Sequence, residues 1–116
     1  MIEKIVLDYL KSKMDVPVVL EIPPTPPEKF VLIQKTGSSV ENFLYSATLA
    51  LQSYAASKYE AAVLNELVKS SMDALPASVD DVTKSKLNSD YDFTDVTSKR
   101  YRYQAVYDVV HYLGGL

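Results

Sequence analysis

The stretch LYSATLALQSYAASKYEAAVLNELVKSSMDAL, residues 44–75, decides the fold of this chain. In residues 45–53 apolar side chains alternate with small or polar ones, and this period of two predicts a β-strand with one apolar face. The second face is mildly polar and suits contact with solvent or with a partner subunit. The apolar face holds Tyr45, Ala47, Leu49 and Leu51, and the second face holds Ser46, Thr48, Ala50 and Gln52.

The spacing changes at Ser57, which together with Glu60 fits a helix capping box. Pro76 cannot continue a helix, so the helix that begins here should end at or before Leu75. Its apolar stripe consists of Ala61, Leu64, Leu67, Val68, Met72 and Leu75. Because an apolar stripe must be buried against another element, the strand and the helix should pack together. This predicts one shared core that contains Leu49, Leu51, Leu64, Leu67 and Val68.

The remaining elements can be read from similar patterns. Residues 1–14 predict a short amphipathic helix, residues 16–22 a short strand, and residues 30–36 a strand that Gly37 ends before a polar loop at 37–42. Residues 77–86 look irregular, and residues 87–94 and 100–110 alternate as two further strands. The order α-β-β-β-α-β-β predicts a single α+β domain over residues 1–116. It has two layers, a mainly antiparallel sheet and two helices.

The last two strands predict a hairpin whose loop, residues 95–99, sets the register. Placing Thr94 opposite Arg100 gathers the aromatic rings on one face, toward the helices or a neighbouring subunit, and an Asp–Arg pair on the other. The predicted pairs are Phe93 with Tyr101, Asp92 with Arg102, and Tyr91 with Tyr103.

Composition excludes several function classes. The chain has 116 residues and a net charge of −3, which argues against a nucleic-acid-binding surface. It has no cysteine, so disulfides and thiol chemistry are excluded, which fits a reducing cytoplasm. It shows no leader pattern and no apolar run of membrane-spanning length, so we expect no membrane partner.

Candidate chemistry is sparse. His111 is the only histidine, and Asp108 is its only marked neighbour in sequence, which is too little for a catalytic constellation. Asp90, Asp92 and Asp95 resemble a calcium loop but lack its central glycine and final glutamate, so we read them as solvated strand residues. We therefore expect no catalytic residues, metal site or cofactor, and no enzymatic activity.

Two other groups of residues have simple explanations. The segment Pro23-Pro24-Thr25-Pro26-Pro27 is better explained as a stiff spacer between strands than as a ligand for an aromatic groove. Lys99, Arg100 and Arg102 provide too little basic surface for base stacking. Packing in a core or an interface therefore better explains Tyr101, Tyr103, Tyr107 and Tyr112.

Beyond these patterns, several strings along most of the chain resemble the tail terminator, or tail completion, proteins of long-tailed bacteriophages and prophages. The first strings are Glu21-Ile22-Pro23, Pro27 before Phe30-Val31-Leu32-Ile33, Thr36-Gly37, Asn42 and Leu44. Then follow Ala47-Thr48-Leu49-Ala50-Leu51-Gln52-Ser53-Tyr54-Ala55, Ser57 with Ala61, and Tyr101-Arg102-Tyr103-Gln104-Ala105-Val106-Tyr107.

The resemblance implies a structural virion protein without catalytic residues. Its subunits would form a hexameric ring on the tail tube, end tube polymerisation and present the surface that joins the head connector, while DNA passes through without sequence-specific binding. The implied partners are further copies of the chain, the tail tube protein and a head-completion protein. The implied location is the neck end of the virion tail, and the host bacterial cytoplasm during assembly. Another neck component, such as a head-closure or connector protein, is the alternative, and a small cytoplasmic regulator or enzyme is a third.

Overall fold

The computed structural model describes residues 1–98 and 100–112, in which helices and strands follow the predicted order. One short helix that the sequence did not predict is added after the second long one. The elements are α1 (Ile2–Lys13), β1 (Val18–Val19), β2 (Phe30–Glu41), β3 (Leu44–Ala55), α2 (Lys58–Asp73), α3 (Leu75–Ser78), β4 (Val82–Asp92) and β5 (Tyr101–Tyr112).

The strands form one sheet in the order β1-β2-β3-β5-β4. The short strand β1 is parallel to β2, and all other neighbours are antiparallel. Apolar residues of all three helices pack in one core cluster with residues from the sheet. The predicted α+β fold with a mainly antiparallel sheet is therefore confirmed.

Helix α2 begins where the sequence predicts. Ser57 is its N-cap, and the Ser57 Oγ accepts a hydrogen bond of 3.2 Å from the Glu60 backbone N–H. The Glu60 carboxylate accepts a 3.3 Å hydrogen bond from the Ser57 hydroxyl rather than from its backbone. Pro76 lies in the first turn of α3, where a missing backbone N–H is tolerated.

The shared core is confirmed for four of its five predicted members. Leu49, Leu51, Leu64 and Val68 are all buried in the same cluster. Leu67 was placed wrongly, because its side chain is 52% exposed. Helix α2 carries a second apolar stripe on its outer side, with Tyr59, Val63 and Leu67 four residues apart, and Leu67 belongs to that stripe.

The strand that Gly37 was expected to end continues to Glu41. A register shift between Lys35 and Gly37 forms a bulge, and the residues after it pair with the first residues of β3. Residues 34–41 are all exposed, so their polar character comes from exposure on both faces of the sheet rather than from a loop. The chain then turns at Asn42 and Phe43, which both have positive φ angles, 52° and 65°.

Two other predicted boundaries are wrong. The strand expected over residues 16–22 is reduced to Val18–Val19, and the proline-rich segment that follows forms no strand. The four prolines of that segment have no N–H to donate to a sheet ladder, which explains why the segment itself forms no strand. The segment 77–86, expected to be irregular, contains part of α3 and the beginning of β4. Its polar residues lie at an edge of the sheet, where backbone pairing with β5 replaces apolar packing.

The predicted hairpin between β4 and β5 exists, but its register is wrong by one residue. Asp92 lies opposite Tyr103, Tyr91 lies opposite Gln104, and the Phe93 N–H donates a 2.9 Å hydrogen bond to the Arg102 carbonyl. Phe93 therefore faces Arg102 instead of Tyr101. Tyr91 and Phe93 are 42% and 39% exposed.

The turn explains this register. Asp95 and Arg100 exchange two backbone hydrogen bonds of 3.2 Å, so the loop closes after Asp95. The Asp95 carboxylate also accepts hydrogen bonds from Thr97 and Ser98. The Arg102 guanidinium lies 4.6 Å from the centre of the Phe93 ring, and this cation–π contact replaces the ring pairing that was expected.

The two apolar stripes of α2 give a matched pair of substitutions. Leu64→Ala should lower the free energy of unfolding by about 2–5 kcal/mol, because Leu64 is fully buried. Leu67→Ala should lower it by less than about 0.5 kcal/mol, as an exposed position does. Chemical denaturation of both variants measures the difference, and equal losses would contradict this placement of the helix.

Phe43 gives a second test of the fold. Phe43→Gly should raise the free energy of unfolding by about 1 kcal/mol, because glycine adopts a positive φ angle without the steric cost that other L-residues meet. Phe43→Ala is the control, since alanine keeps that cost and removes only an exposed ring. A gain of similar size in both variants, measured by thermal and urea unfolding, would show that the turn conformation is not the cause.

Candidate functional site

The sheet face that points away from the helices is the most distinctive surface of the molecule. A second, small apolar cluster lies on it, formed by Phe30, Leu32 and Tyr54 with Val19. The rest of its centre is polar, with Gln52 opposite Gln104 in the ladder between β3 and β5. We call this surface the open face.

A chain of side-chain hydrogen bonds crosses the open face over four strands. The Gln52 amide donates to Gln104 Oε1 at 2.7 Å and to Gln34 Oε1 at 3.4 Å, and the Gln104 amide donates to the Tyr91 hydroxyl. The Tyr54 hydroxyl donates to Gln52 Oε1 at 2.9 Å. Gln52 and Gln104 are only 6% and 9% exposed, so neighbouring side chains already satisfy and shield these amides. The centre of the open face is thus a rigid polar surface rather than a cavity.

An aromatic pocket of about 310 Å³ lies at one end of the open face. Its floor is the stacked pair Phe30 and Tyr54, whose ring centres are 4.5 Å apart. The Arg100 guanidinium lies 5.0 Å from the centre of the Tyr54 ring, and Arg102 Nη1 donates a 2.9 Å hydrogen bond to the Tyr54 hydroxyl. The pocket is lined by Pro26, Pro27, Phe30, Tyr54, Arg100 and Tyr101, together with Glu28 and the backbone turn at Ala55 and Ala56.

The two arginines at this end are not neutralised. Within the described part of the chain, no carboxylate lies within 4.0 Å of a side-chain nitrogen of Arg100 or Arg102. Arg102 instead donates to the Phe93 carbonyl at 2.8 Å and to Tyr54. The pocket therefore combines apolar walls with positive charge, an arrangement that fits an aromatic group carrying a carboxylate.

The opposite end of the sheet is the tip of the β2–β3 hairpin, residues 40–43, which we call the hairpin tip. Its side chains are exposed, with Val40 at 56% and Phe43 at 78%. This end therefore presents two exposed apolar side chains beside the polar Glu41 and Asn42.

His111 and Asp108, the pair considered for catalysis, do not meet. The Asp108 carboxylate accepts hydrogen bonds of 3.0 Å from Thr48 and from Asn88. His111 is buried, lines a cavity of about 340 Å³, and neither of its ring nitrogens has a hydrogen-bond partner among the described residues. Burial lowers the pKa of His111, and Lys35 contributes in the same direction.

The cavity beside His111 also contains residues that the sequence did not associate with it. They are Glu3 and Lys35, whose side chains approach to 3.7 Å, and the ring of Tyr45, 5.3 Å from the imidazole. The Glu3 Oε1 atom is buried, and residues 1–98 and 100–112 provide no hydrogen-bond partner for it. Glu3 and His111 lie near opposite ends of the chain, so no local sequence pattern connects them.

The three aspartates that resembled a calcium loop have separate partners. Asp90 binds Lys69 at 2.5 Å and Asn65 at 2.7 Å on α2, and Asp92 forms a 3.0 Å ion pair with Lys58. Asp95 caps its own turn. Hydrogen bonds from Thr94 and the Lys58 ammonium lower the pKa of Asp92 to about 2. Asp90 and Asp92 are both exposed, as expected of a solvated strand face, and both also bind α2.

The tyrosines are distributed between core and surface. Tyr107 is fully buried, as the packing explanation requires, and its hydroxyl lies 2.7 Å from Asp73 Oδ1. That burial raises the pKa of Tyr107, with Asp73 adding to the effect. Tyr101 and Tyr103 are half-buried and Tyr112 is exposed, while Lys99 lies outside the described residues.

Comparison with protein-family models and with curated proteins finds no match for the chain. Within residues 1–98 and 100–112 no group of three or more His, Cys, Asp or Glu side chains is placed to hold a metal ion. None of the helices in these residues is long and apolar enough to cross a membrane.

The lowered pKa of His111 predicts a loss of stability in mild acid. The unfolded chain takes up a proton at its ordinary pKa near 6.5, but the buried imidazole does so only at lower pH, so the free energy of unfolding falls as pH drops below about 6.5. His111→Phe removes this proton uptake. Urea unfolding between about pH 7 and about pH 5.5 should therefore show a shallower pH dependence in the variant. Parallel curves would contradict the assignment.

Proposed function

We propose that this chain is the repeating subunit of a ring that caps a phage tail tube, ends its polymerisation and presents the surface that joins the head. The observation that carries the proposal is where the strings that resemble tail terminators lie in the fold. Residues 47–55 are in β3, residues 101–107 are in β5 beside it, and Ser57 with Ala61 opens α2 directly after β3. These three strings thus belong to one contiguous unit of the fold.

The surfaces of the molecule support a role in assembly. Helices cover one side of the sheet, the open face on the other side has a polar centre beside an apolar cluster, and the molecule is elongated, 44 × 26 × 24 Å. A closed ring of identical subunits repeats one interface between two different patches of the same chain. The hairpin tip and the aromatic pocket are two such patches.

The charge of the chain also supports the proposal. A ring through which DNA passes should not hold the phosphate backbone, and a subunit with a net charge of −3 provides little attraction for it. In the virion, the partners of the ring would be the tail tube protein on one side and a head-completion protein on the other.

A phage strain that lacks this protein tests the proposal. We expect electron microscopy to show tails of irregular, increased length and heads without attached tails, because nothing would stop tube growth or present the joining surface. Complementation with the intact gene should restore uniform tails and joined particles. Tails of uniform length on joined heads in the deletion strain would refute the proposed function.

A binding experiment separates the proposal from the neighbouring role of head closure. A tail terminator should sediment with purified tail tubes and leave portal–connector particles unbound. The reverse result would assign the chain to the connector side of the neck.

A further inference from the structure

Phe43 combines two unfavourable features in one residue of the hairpin tip. Its φ angle of 65° is costly for a bulky residue, and this turn position normally favours glycine. Its ring is also 78% exposed to solvent, so an apolar surface remains without cover. Residues held in such conformations cluster at binding sites, and exposed aromatic rings are common anchors of protein interfaces. The two observations together indicate that Phe43 is an anchor for a partner.

The charge of the hairpin tip indicates which kind of surface would bind Phe43. Glu41 is exposed two residues before Phe43, and no cation of the described residues lies within 4.0 Å of its carboxylate. The aromatic pocket offers the complement, with apolar walls for a ring and an Arg100 guanidinium that forms no ion pair with the described residues. Glu28 also lines the pocket, so a carboxylate from the tip is attracted at Arg100 and repelled at Glu28.

The tip and the pocket belong to opposite ends of the same strands. About ten residues of β3 separate Leu44, next to the tip, from Tyr54 in the pocket floor, which is roughly 33 Å of extended chain. The tip therefore cannot reach the pocket of its own molecule. A contact between these two patches joins two copies head to tail, as a heterologous interface does.

We infer that the hairpin tip of one copy of this chain docks into the aromatic pocket of a second copy, with the Phe43 ring against the pocket walls and the Glu41 carboxylate at Arg100. The inference deepens the proposed function by naming a contact between subunits. Head-to-tail docking alone is compatible with an open chain of subunits as well as with a ring. The inference therefore rests on the proposed function only for the closure of the copies into a ring.

Sedimentation velocity of the purified chain over a concentration series tests the anchor. The intact chain should self-associate, and Phe43→Gly should weaken this association by roughly thirty-fold, the effect of removing a central anchor residue. The melting temperature of the same variant should rise, which separates loss of the contact from loss of the fold. Tyr59→Ala is the matched control, because Tyr59 on α2 is also 78% exposed, and it should leave self-association unchanged.

Charge reversal tests the identity of the occupant. Glu41→Arg and Arg100→Glu should each weaken self-association, because each places like charges together in every contact between identical copies. An equimolar mixture of the two variants should associate again, since alternating copies restore opposite charges at each contact. Rescue in the mixture can be explained only by a contact of the tip with the pocket of another copy.

Three results would overturn the inference. They are a purified chain that stays monomeric at millimolar concentration, association that Phe43→Gly leaves unchanged, and reversed charges that the mixture does not rescue. The proposed function fails separately. If Phe43→Gly abolished self-association but the deletion strain made normal tails, the contact would stand and the tail role would be wrong. If the deletion strain failed to control tail length but the variant assembled normally, the tail role would stand and the contact would be wrong.

Discussion

Strand β3 is hydrogen-bonded to a neighbour along both of its edges for its whole length, to β2 on one side and to β5 on the other. The rest of the structure depends on this constraint. Because the ladders satisfy the backbone polar groups, the strand can be buried on both faces, and the two faces can have different chemistry. The face of β3 toward the helices carries Leu49 and Leu51 into the core. The other carries Gln52 and Tyr54 into the polar network of the open face.

The unit of β3 and α2 could be predicted because its signals are local. Alternation along the strand, the cap at Ser57 and the helical spacing after it each depend on neighbours a few residues away. Leu67 shows what local signals cannot predict. A helix with apolar residues on two sides has two candidate inner stripes, and their spacing does not tell which one meets the sheet. The inner stripe of α2 is set by β3 and β5, which approach it from distant parts of the chain.

The wrong boundaries of β2 and β4 and the wrong register of the β4–β5 hairpin all arise at edges of the sheet. The second half of β2 and the whole of β4 lie at edges of the sheet and are largely exposed, so they lack an apolar period and are held by backbone hydrogen bonds. The register of the β4–β5 hairpin was predicted from pairing of aromatic rings, which contributes only about 0.2–1 kcal/mol per pair. The turn at Asp95 makes several hydrogen bonds, and the Arg102 guanidinium covers Phe93, so the turn determines the register.

The candidate site could not be predicted for a related reason, since its parts come from segments far apart in the chain. The aromatic pocket takes Pro26 from the segment before β2, Tyr54 from the end of β3 and Arg100 from the start of β5. In the sequence the proline segment was interpreted as a spacer and Arg100 as part of a weak basic group, and no local pattern connected the two. The positive φ angle at Phe43 became apparent only with the turn itself, because the same residues read equally well as a polar loop.

Sequences usually agree with their folds at every level, and local violations concentrate at functional positions. A large aromatic residue at a turn position that suits glycine is such a violation, and its ring is 78% exposed. Contact with another molecule, as inferred for Phe43, would offset both its exposure and its backbone conformation.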